Sequence, residues 1–328
     1  MPPSRLTLLN RSGLFVLLIA FQLFNPAHSD LVVATSRTPL NLPFYVAQAQ
    51  GYFNDLAEPV VLNSCVSGEK CMQAMLDNKA DIATVSDMVI MTHYLDESAF
   101  SVLATMVTAP DYVAIIARKS ASIRQIADLK KKRVGYVEGT SSHYYLETAL
   151  ILSGLSMSDI QPVTGQPPEL NEMLESGKLD AIAMWQPWAY EASRALAEES
   201  IRLSTSETYA LRFNLVSRNG LGAKDRRQLI PLFSALSSAA EFIEHHPAET
   251  REILRKALQL PVEFSDDLWK NCKFRLELES GLLQTIDNQA RWKLASQGRS
   301  LTDRPNLRGF IDDNPLKGFK PDLVNWSE

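Results

Sequence analysis

The segment Met72-Gln-Ala-Met-Leu-Asp-Asn-Lys-Ala-Asp-Ile-Ala83 has a second copy further along the chain, Leu170-Asn-Glu-Met-Leu-Glu-Ser-Gly-Lys-Leu-Asp-Ala-Ile-Ala-Met184. In both copies, apolar residues spaced i, i+3 and i+4 fall on one face of a helix. Asn78 and Gly177 stand where a left-handed residue ends each helix. An Asp and a short apolar run then predict a strand buried between helices. The repeat therefore predicts two α/β lobes built on one plan with a cleft between them, a geometry that favours a binding protein.

Strands and helices alternate through most of the remaining sequence, which predicts a mainly parallel open sheet flanked by helices in each lobe. Apolar strands are predicted at 31–34, 60–62, 102–107, 112–117, 134–137 and 213–216, and helices at 44–51, 139–152, 229–245 and 248–258. The strand at 112–117 carries the chain into the second lobe, and the strand at 213–216 brings it back. We therefore expect lobe 1 to contain residues 30–113 with 213–328, and lobe 2 residues 114–212.

The N-terminus has the three regions of a secretory signal peptide: Arg5 and Arg11, the apolar run 14–24, and the small-residue segment Ala27-His-Ser29. The apolar run is shorter than the about 20 residues that a membrane span requires. We expect residues 1–29 to be a signal peptide cleaved after Ser29, with an uncleaved anchor as the alternative. The mature chain would then be a periplasmic protein that does not insert into the membrane.

Charge and residue spacing exclude several functional classes. The formal net charge is -5 and there is no basic stripe, which disfavours nucleic acid as a partner. Three cysteines and five histidines show no metal-ligand spacing, and no phosphate-binding or dinucleotide fingerprint is present. No nucleophile stands in a recognisable triad or paired-carboxylate arrangement. We expect no metal, no cofactor and no enzymatic activity.

Cys65 and Cys71 are close in sequence in a chain that is predicted to be exported. A disulfide can persist in that compartment, and the alternative is two small buried residues. Cys272 is left over and is expected to be a buried free thiol.

In open α/β sheets, ligands bind at the carboxyl ends of the strands. Gly139-Thr-Ser-Ser142 opens a helix there, and its hydroxyls and free backbone N–H groups suit an anion or a carbonyl; the alternative is an ordinary helix cap. Trp185-Gln-Pro-Trp188 follows a buried strand, and we favour Trp185 at the cleft, where it could cover the apolar part of a ligand. Arg37 is the cation nearest the predicted mouth, whereas Asp111 and Glu138 could accept donors, so these residues leave the ligand's charge open.

Three segments occur in order along the chain: Leu42-Pro-Phe-Tyr-Val-Ala47 with Gly51-Tyr-Phe53, Asp128-Leu-Lys130 with Val134-Gly135 and Gly139-Thr-Ser141, and Asp180-Ala-Ile-Ala-Met-Trp-Gln-Pro-Trp188. Together they resemble the corresponding segments of periplasmic substrate-binding proteins of the nitrate, sulfonate, taurine and thiamine-pyrimidine group. The resemblance implies a type II periplasmic binding protein fold with a two-strand hinge, closing on a small ligand. Asn78 departs from the glycine usual at that position, and no cluster of cations marks a sulfonate or nitrate site.

The family resemblance and the loop positions together give the candidate ligand-binding residues. They are Thr38, Leu40, Asn41, Leu42, Ser67, Gly68, Ser86, Asp111, Tyr112, Gly139, Thr140, Ser141, Ser142 and Trp185.

The function that the resemblance implies is capture of a small molecule, most readily a sulfonate-, nitrate- or taurine-like anion, and its delivery to the permease of an ABC importer. We expect the protein to act as a monomer. Two alternatives remain at this point. One is a sensor subunit that presents the ligand to a membrane receptor, and the other is an enzyme of the thiamine-pyrimidine synthase type.

Overall fold

A computed structural model of the protein describes residues 30–203, 209–219, 221, 223–261 and 269–326. The predicted signal peptide, residues 1–29, lies outside the described residues. Within those ranges, no helix combines the length and the apolar character needed to cross a membrane.

Strands and helices alternate from residue 31 to residue 203, and helices predominate after the return strand. The strands are β1 Leu31–Ser36, β2 Val60–Cys65, β3 Ile82–Ser86, β4 Phe100–Ala109, β5 Val113–Arg118, β6 Arg133–Tyr136, β7 Gln161–Thr164, β8 Ala181–Trp185, β9 Ser200–Leu203, β10 Leu211–Arg218, β11 Lys273–Glu279 and β12 Val324–Asn325. The helices are α1 Leu42–Ala49, α2 Gly68–Leu76, α3 Asp87–Leu95, α4 Ser141–Leu152, α5 Pro167–Glu175, α6 Trp188–Leu196, α7 Ala223–His245, α8 Pro247–Leu258, α9 Ser280–Ser296 and α10 Asn314–Phe319.

The strands form two sheets, and each sheet is the centre of one lobe. Lobe 1 has the strand order β12-β11-β4-β10-β3-β1-β2, and lobe 2 has the order β7-β6-β8-β5-β9. The chain changes sheets between β4 and β5 and again between β9 and β10, near the two places where the sequence predicts a change of lobe. The two-lobe α/β fold is thus confirmed.

The sheets are mixed, which differs from the expectation that each is mainly parallel. β1 is parallel to β2 and β3, but β10 is antiparallel to both β3 and β4. In lobe 2, β6 is parallel to β7 and β8, whereas β5 is antiparallel to β8 and β9. The antiparallel pairs involve the strands that flank the crossings, because a chain that leaves lobe 1 from one end of β4 and returns at that same end must run in the opposite direction along β10.

The sequence repeat corresponds to a structural repeat. α2 leads into β3, and α5 leads into β8. The helix-ending residues Asn78 and Gly177 have φ values of 59° and 78°, as the left-handed stop requires. The repeated Asp has the same role in each lobe: Asp81 accepts the backbone N–H of Val32 in β1 at 3.0 Å, and Asp180 accepts that of Arg133 in β6 at 2.8 Å. Each Asp therefore fixes the start of the neighbouring parallel strand.

Asp180 should contribute stability that depends on pH. Its carboxylate also bonds the Arg133 guanidinium at 2.7 Å, and this bond lowers the pKa of Asp180. Because the folded-state pKa lies below the unfolded value of about 4, the contribution is present above pH 4 and is lost as the pH falls through the folded-state pKa. Asp180→Asn should therefore lower the free energy of unfolding by about 1–2 kcal/mol at pH 7, and the difference from wild type should shrink in acid.

Urea unfolding at a series of pH values measures this effect, with the exposed Glu172→Gln on α5 as the control. An equal loss for Asp180→Asn at pH 7 and in acid would contradict the ionic contribution.

Candidate ligand-binding cleft

The candidate residues lie where strands of the two sheets end. Ser36, Cys65 and Ser86 are the last residues of the adjacent parallel strands β1, β2 and β3. Tyr136 and Trp185 end the parallel pair β6 and β8. The loops that follow supply candidates from lobe 1 and from lobe 2, while Asp111 and Tyr112 lie in the first crossing between the lobes.

The Tyr112 side chain joins the two lobes. Its buried hydroxyl donates to the backbone carbonyl of Gln186 in lobe 2 at 2.6 Å and is hydrogen-bonded to the hydroxyl of Thr38 in lobe 1. Thr38 in turn accepts the backbone N–H of Leu40 at 3.2 Å. The loop after β1 and the loop after β8 are therefore held next to each other by one hydroxyl group.

Residues 40–42 are the buried part of the loop that follows β1. Leu40 and Leu42 are buried and pack in two adjoining hydrophobic clusters. Asn41 is fully buried and donates through Nδ2 to the carbonyl of Ser36 at 2.7 Å, while its Oδ1 has no hydrogen-bond partner among the described residues. The loop thus carries one unused buried acceptor.

The starts of α2 and α3 come together at the end of β3. Ser67 caps α2 by accepting the backbone N–H of Lys70 at 3.2 Å. A Cβ added to Gly68 would lie 3.8 Å from the Cα of Val85. Ser86 is the N-cap residue of α3, but its side chain makes no capping hydrogen bond. Its hydroxyl is therefore not used by the helix that it precedes.

In lobe 2, residues 139–142 form the predicted helix start. Gly139 has a φ of 73°, and Thr140 caps α4 by accepting the backbone N–H of Ser142. The Ser142 hydroxyl donates to Ala183 in β8 at 2.8 Å and accepts the N–H of Val137 at 3.1 Å. Both hydrogen-bonding roles of Ser142 are thus used to attach α4 to its sheet, whereas Ser141 is buried at the first position of the helix.

The predicted cation and aromatic residues have distinct surroundings. Arg37 is exposed and donates to the carbonyl of Leu258 at the end of α8. Burial raises the pKa of Glu191 in lobe 2, and the Arg37 charge opposes that rise.

Trp185 is half-buried and packs against two hydrophobic clusters: one contains residues of both lobes, and the other lies within lobe 2. Trp188 packs against the lobe 2 cluster alone.

A buried carboxylate beside Ser86 is a feature that sequence reasoning missed. Asp87 is fully buried and accepts three donors: the Tyr209 hydroxyl, the backbone N–H of Arg212 at 3.0 Å and its own helix's Met88 N–H at 2.8 Å. Burial raises the pKa of Asp87, and the bonds from Tyr209 and Arg212 counter the rise. Asp87 thus anchors the segment where the chain returns to lobe 1.

All three cysteines are free thiols in the structure, and the Cys65–Cys71 disulfide stays a prediction. Cys71 is fully buried in α2. Burial is the main cause that raises the pKa of its thiol, and the neighbouring Cys65 thiol raises it further. Cys65 is only half-buried at the end of β2. Cys272 is half-buried, and its pKa is raised to about 12 by desolvation.

Asp111, in the first crossing, accepts the Asn271 amide at 3.1 Å through Oδ2. No group of three or more His, Cys, Asp or Glu residues in the described ranges is arranged to hold a metal ion.

Two α/β lobes, two chain crossings and loop-bearing strand ends that meet between the lobes define the class of two-lobe binding proteins. The chain belongs to the family described as NMT1/THI5 like, which matches residues 38–250.

Comparison with individual proteins agrees with this assignment. An aliphatic sulfonates-binding protein of Escherichia coli is 34% identical over 94 residues, which is 29% of this chain and 28% of the relative. The alignment thus spans little more than a quarter of that relative's length. The solved structure of the E. coli periplasmic aliphatic sulphonate binding protein SsuA superimposes with a TM-score of 0.74 at 17% identity, covering 87% of this chain and 92% of SsuA. The alkanesulfonate-binding protein SsuA of Xanthomonas axonopodis, bound to MOPS, gives 0.71 at 19% identity, covering 87% and 98%. These structures share the fold of this chain.

Proposed function

We propose that the protein is an exported solute-binding protein that captures a small molecule between its lobes and delivers it to an ABC importer. One observation carries the proposal: the loop after β1 and the loop after β8 share the hydroxyl of Tyr112, a residue in the crossing itself. Loops from both lobes therefore converge at the base of the interlobe region, and closure of one lobe on the other would remove a ligand there from water.

The ligand that fits best is a sulfonate- or nitrate-like anion. The helices α2, α3 and α4 begin at the strand ends, and helix starts offer N–H donors and partial positive charge to an anion. The hydroxyls of Ser67, Ser86 and Ser141 at those starts add donors, whereas the Thr140 hydroxyl already donates to the carbonyl of Val137 at 2.7 Å. Such donors can bind an anion without a free cation. An anionic ligand is therefore compatible with the hydrogen bond that Arg37 donates to the Leu258 carbonyl at the end of α8. The names of the E. coli and Xanthomonas relatives support the same ligand class.

The proposed ligand-binding residues remain those predicted from the sequence, and their hydrogen bonds support a proposed division into two roles. The groups with a hydroxyl or aromatic face available are those of Ser86, Ser141 and Trp185. Thr38, Tyr112 and Ser142 hold the surrounding loops through hydrogen bonds. The protein would bind the ligand without changing it covalently. It would act as a monomer in the periplasm after removal of residues 1–29.

A thermal-shift series tests the proposal. The probes are ethanesulfonate, MOPS, taurine, nitrate and an aminopyrimidine, and the protein is the chain without residues 1–29. A probe that binds only the folded state raises the melting temperature in a concentration-dependent way. A rise with a sulfonate or nitrate supports the proposal, and a rise with the aminopyrimidine alone replaces the proposed ligand class. No rise with any probe at millimolar concentration would count against the proposal as stated.

Trp185→Ala should weaken binding of the responding probe at least tenfold, which corresponds to about 1.4 kcal/mol. The reason is loss of an aromatic face at the carboxyl end of β8, directly before the Gln186 carbonyl that Tyr112 binds, and isothermal titration calorimetry measures the change in affinity. Trp188→Ala is the matched control, because Trp188 packs only within lobe 2. Equal affinity losses for the two variants would assign Trp185 to packing.

A further inference from the structure

Helix α9 connects the two lobes outside the chain crossings. It follows β11 of lobe 1, and its side chains contact three successive parts of the molecule. Thr285 accepts the Arg212 guanidinium of β10 at 2.6 Å, and Gln289 donates to the hydroxyl of Tyr209 in the return crossing at 3.4 Å. Two turns after Thr285, Trp292 reaches α4 of lobe 2. α9 therefore lies alongside the hinge and ends against the other lobe.

The contact between α9 and α4 is specific. The indole N–H of Trp292 donates to Oε2 of Glu147 at 2.8 Å. The rings of His143 and Tyr144 both meet the Trp292 ring edge-on, with centroids 5.1 Å and 5.3 Å apart. The Tyr144 ring also meets that of Tyr209 edge-on at 5.4 Å. A hydrogen bond to a charged acceptor, enclosed by edge-to-face aromatic contacts, is stronger than a typical surface contact.

The contact with α9 is made by the same helix, α4, that carries candidate ligand-binding residues at its start. α4 begins with Thr140 and Ser141, and Glu147 lies on the same helix two turns later. An opening of the lobes that moves α4 away from α9 would break the Trp292–Glu147 bond.

We propose that the Trp292–Glu147 hydrogen bond is an interlobe latch that holds α4 of lobe 2 against α9 of lobe 1. Trp292 and Glu147 are outside the proposed set of ligand-binding residues and act as positioning residues that set how readily the lobes separate. The effect on ligand release rests on the proposed solute-binding function, whereas the effect on lobe separation does not.

Small-angle X-ray scattering of the ligand-free chain without residues 1–29 tests the latch directly. The wild type and Glu147→Gln should fit the described arrangement of the lobes, because the glutamine side-chain oxygen still accepts the indole N–H. Glu147→Ala and Trp292→Phe should have a larger radius of gyration. Asn288→Ala, on the exposed face of α9, is the control. A wild-type profile as expanded as that of Glu147→Ala, or an unchanged profile in both latch variants, would overturn the proposal.

Dissociation of the responding probe gives a second readout. Glu147→Ala and Trp292→Phe should each release the probe about tenfold faster, the change expected for one hydrogen bond to a charged group. The double variant should be no faster than either single variant, since both remove the same bond. Additive effects would show that the residues act separately and would overturn the latch. Failure of every probe to bind the wild type would affect only the proposed function, because the scattering comparison needs no ligand.

Discussion

Ser141→Tyr is expected to reduce binding of the responding sulfonate probe by at least about a hundredfold, or about 2.8 kcal/mol. Ser141 is buried at the first position of α4, where the helix presents its unpaired N–H groups. A phenol at this position would occupy the space in front of those groups and cover the donors. Isothermal titration calorimetry measures the loss.

Ser141→Ala separates obstruction from loss of the hydroxyl, and it should reduce affinity much less than Ser141→Tyr. The melting temperature without ligand shows whether each variant is folded. Retention of wild-type affinity by a folded Ser141→Tyr would remove the start of α4 from the binding site.

Asp87→Ala is expected to lower the free energy of unfolding by roughly 3–5 kcal/mol, because each buried donor left without an acceptor costs about 1–3 kcal/mol. The Tyr209 hydroxyl and the backbone N–H groups of Arg212 and Met88 would all lose their acceptor. Each unpaired buried donor is costly because no water replaces the lost partner. Urea unfolding monitored by circular dichroism measures the change.

The matched control is Asp96→Ala, which removes an exposed carboxylate at the other end of α3. It should change the free energy of unfolding by less than about 0.5 kcal/mol. Similar losses for the two variants would mean that the buried network contributes little.

The sequence predicts those features of the fold that depend on local spacing. The helix period around Met72 and Leu170, together with the left-handed stops at Asn78 and Gly177, identifies both copies of the repeat because the relevant residues are neighbours in the chain. The long helix α7 is predicted from Leu229, yet it begins at Ala223. The added turns contain the polar segment Lys224-Asp-Arg-Arg-Gln228, which has no apolar periodicity to mark it.

The remaining features depend on pairings between distant parts of the chain. Asp87 and Tyr209 are 122 residues apart, and Glu147 and Trp292 are 145 apart. Nothing in the local pattern around Tyr209 or Trp292 indicates such a partner. The same reason explains the mixed sheets, because the direction of β10 is set by the return crossing. At the site, the sequence identifies the loops, but whether a given hydroxyl is already paired, as in Ser142, depends on the packing of α4 against β8.

The hydrogen-bond chain through Tyr112 has a fixed direction. The Gln186 carbonyl can only accept, so the single Tyr112 proton points to it, and Thr38 must supply its own proton to the Tyr112 oxygen. The Leu40 N–H completes the sequence by donating to Thr38. The two hydroxyl groups, those of Thr38 and Tyr112, each donate one hydrogen bond and accept one. A fully ionised sulfonate or nitrate accepts hydrogen bonds but has no proton to donate, so it cannot take over the donor role of Tyr112 or Thr38 in this chain. Because its donors and acceptors already satisfy one another, we expect this chain at the base of the proposed cleft to stay intact when a sulfonate or nitrate binds beside it.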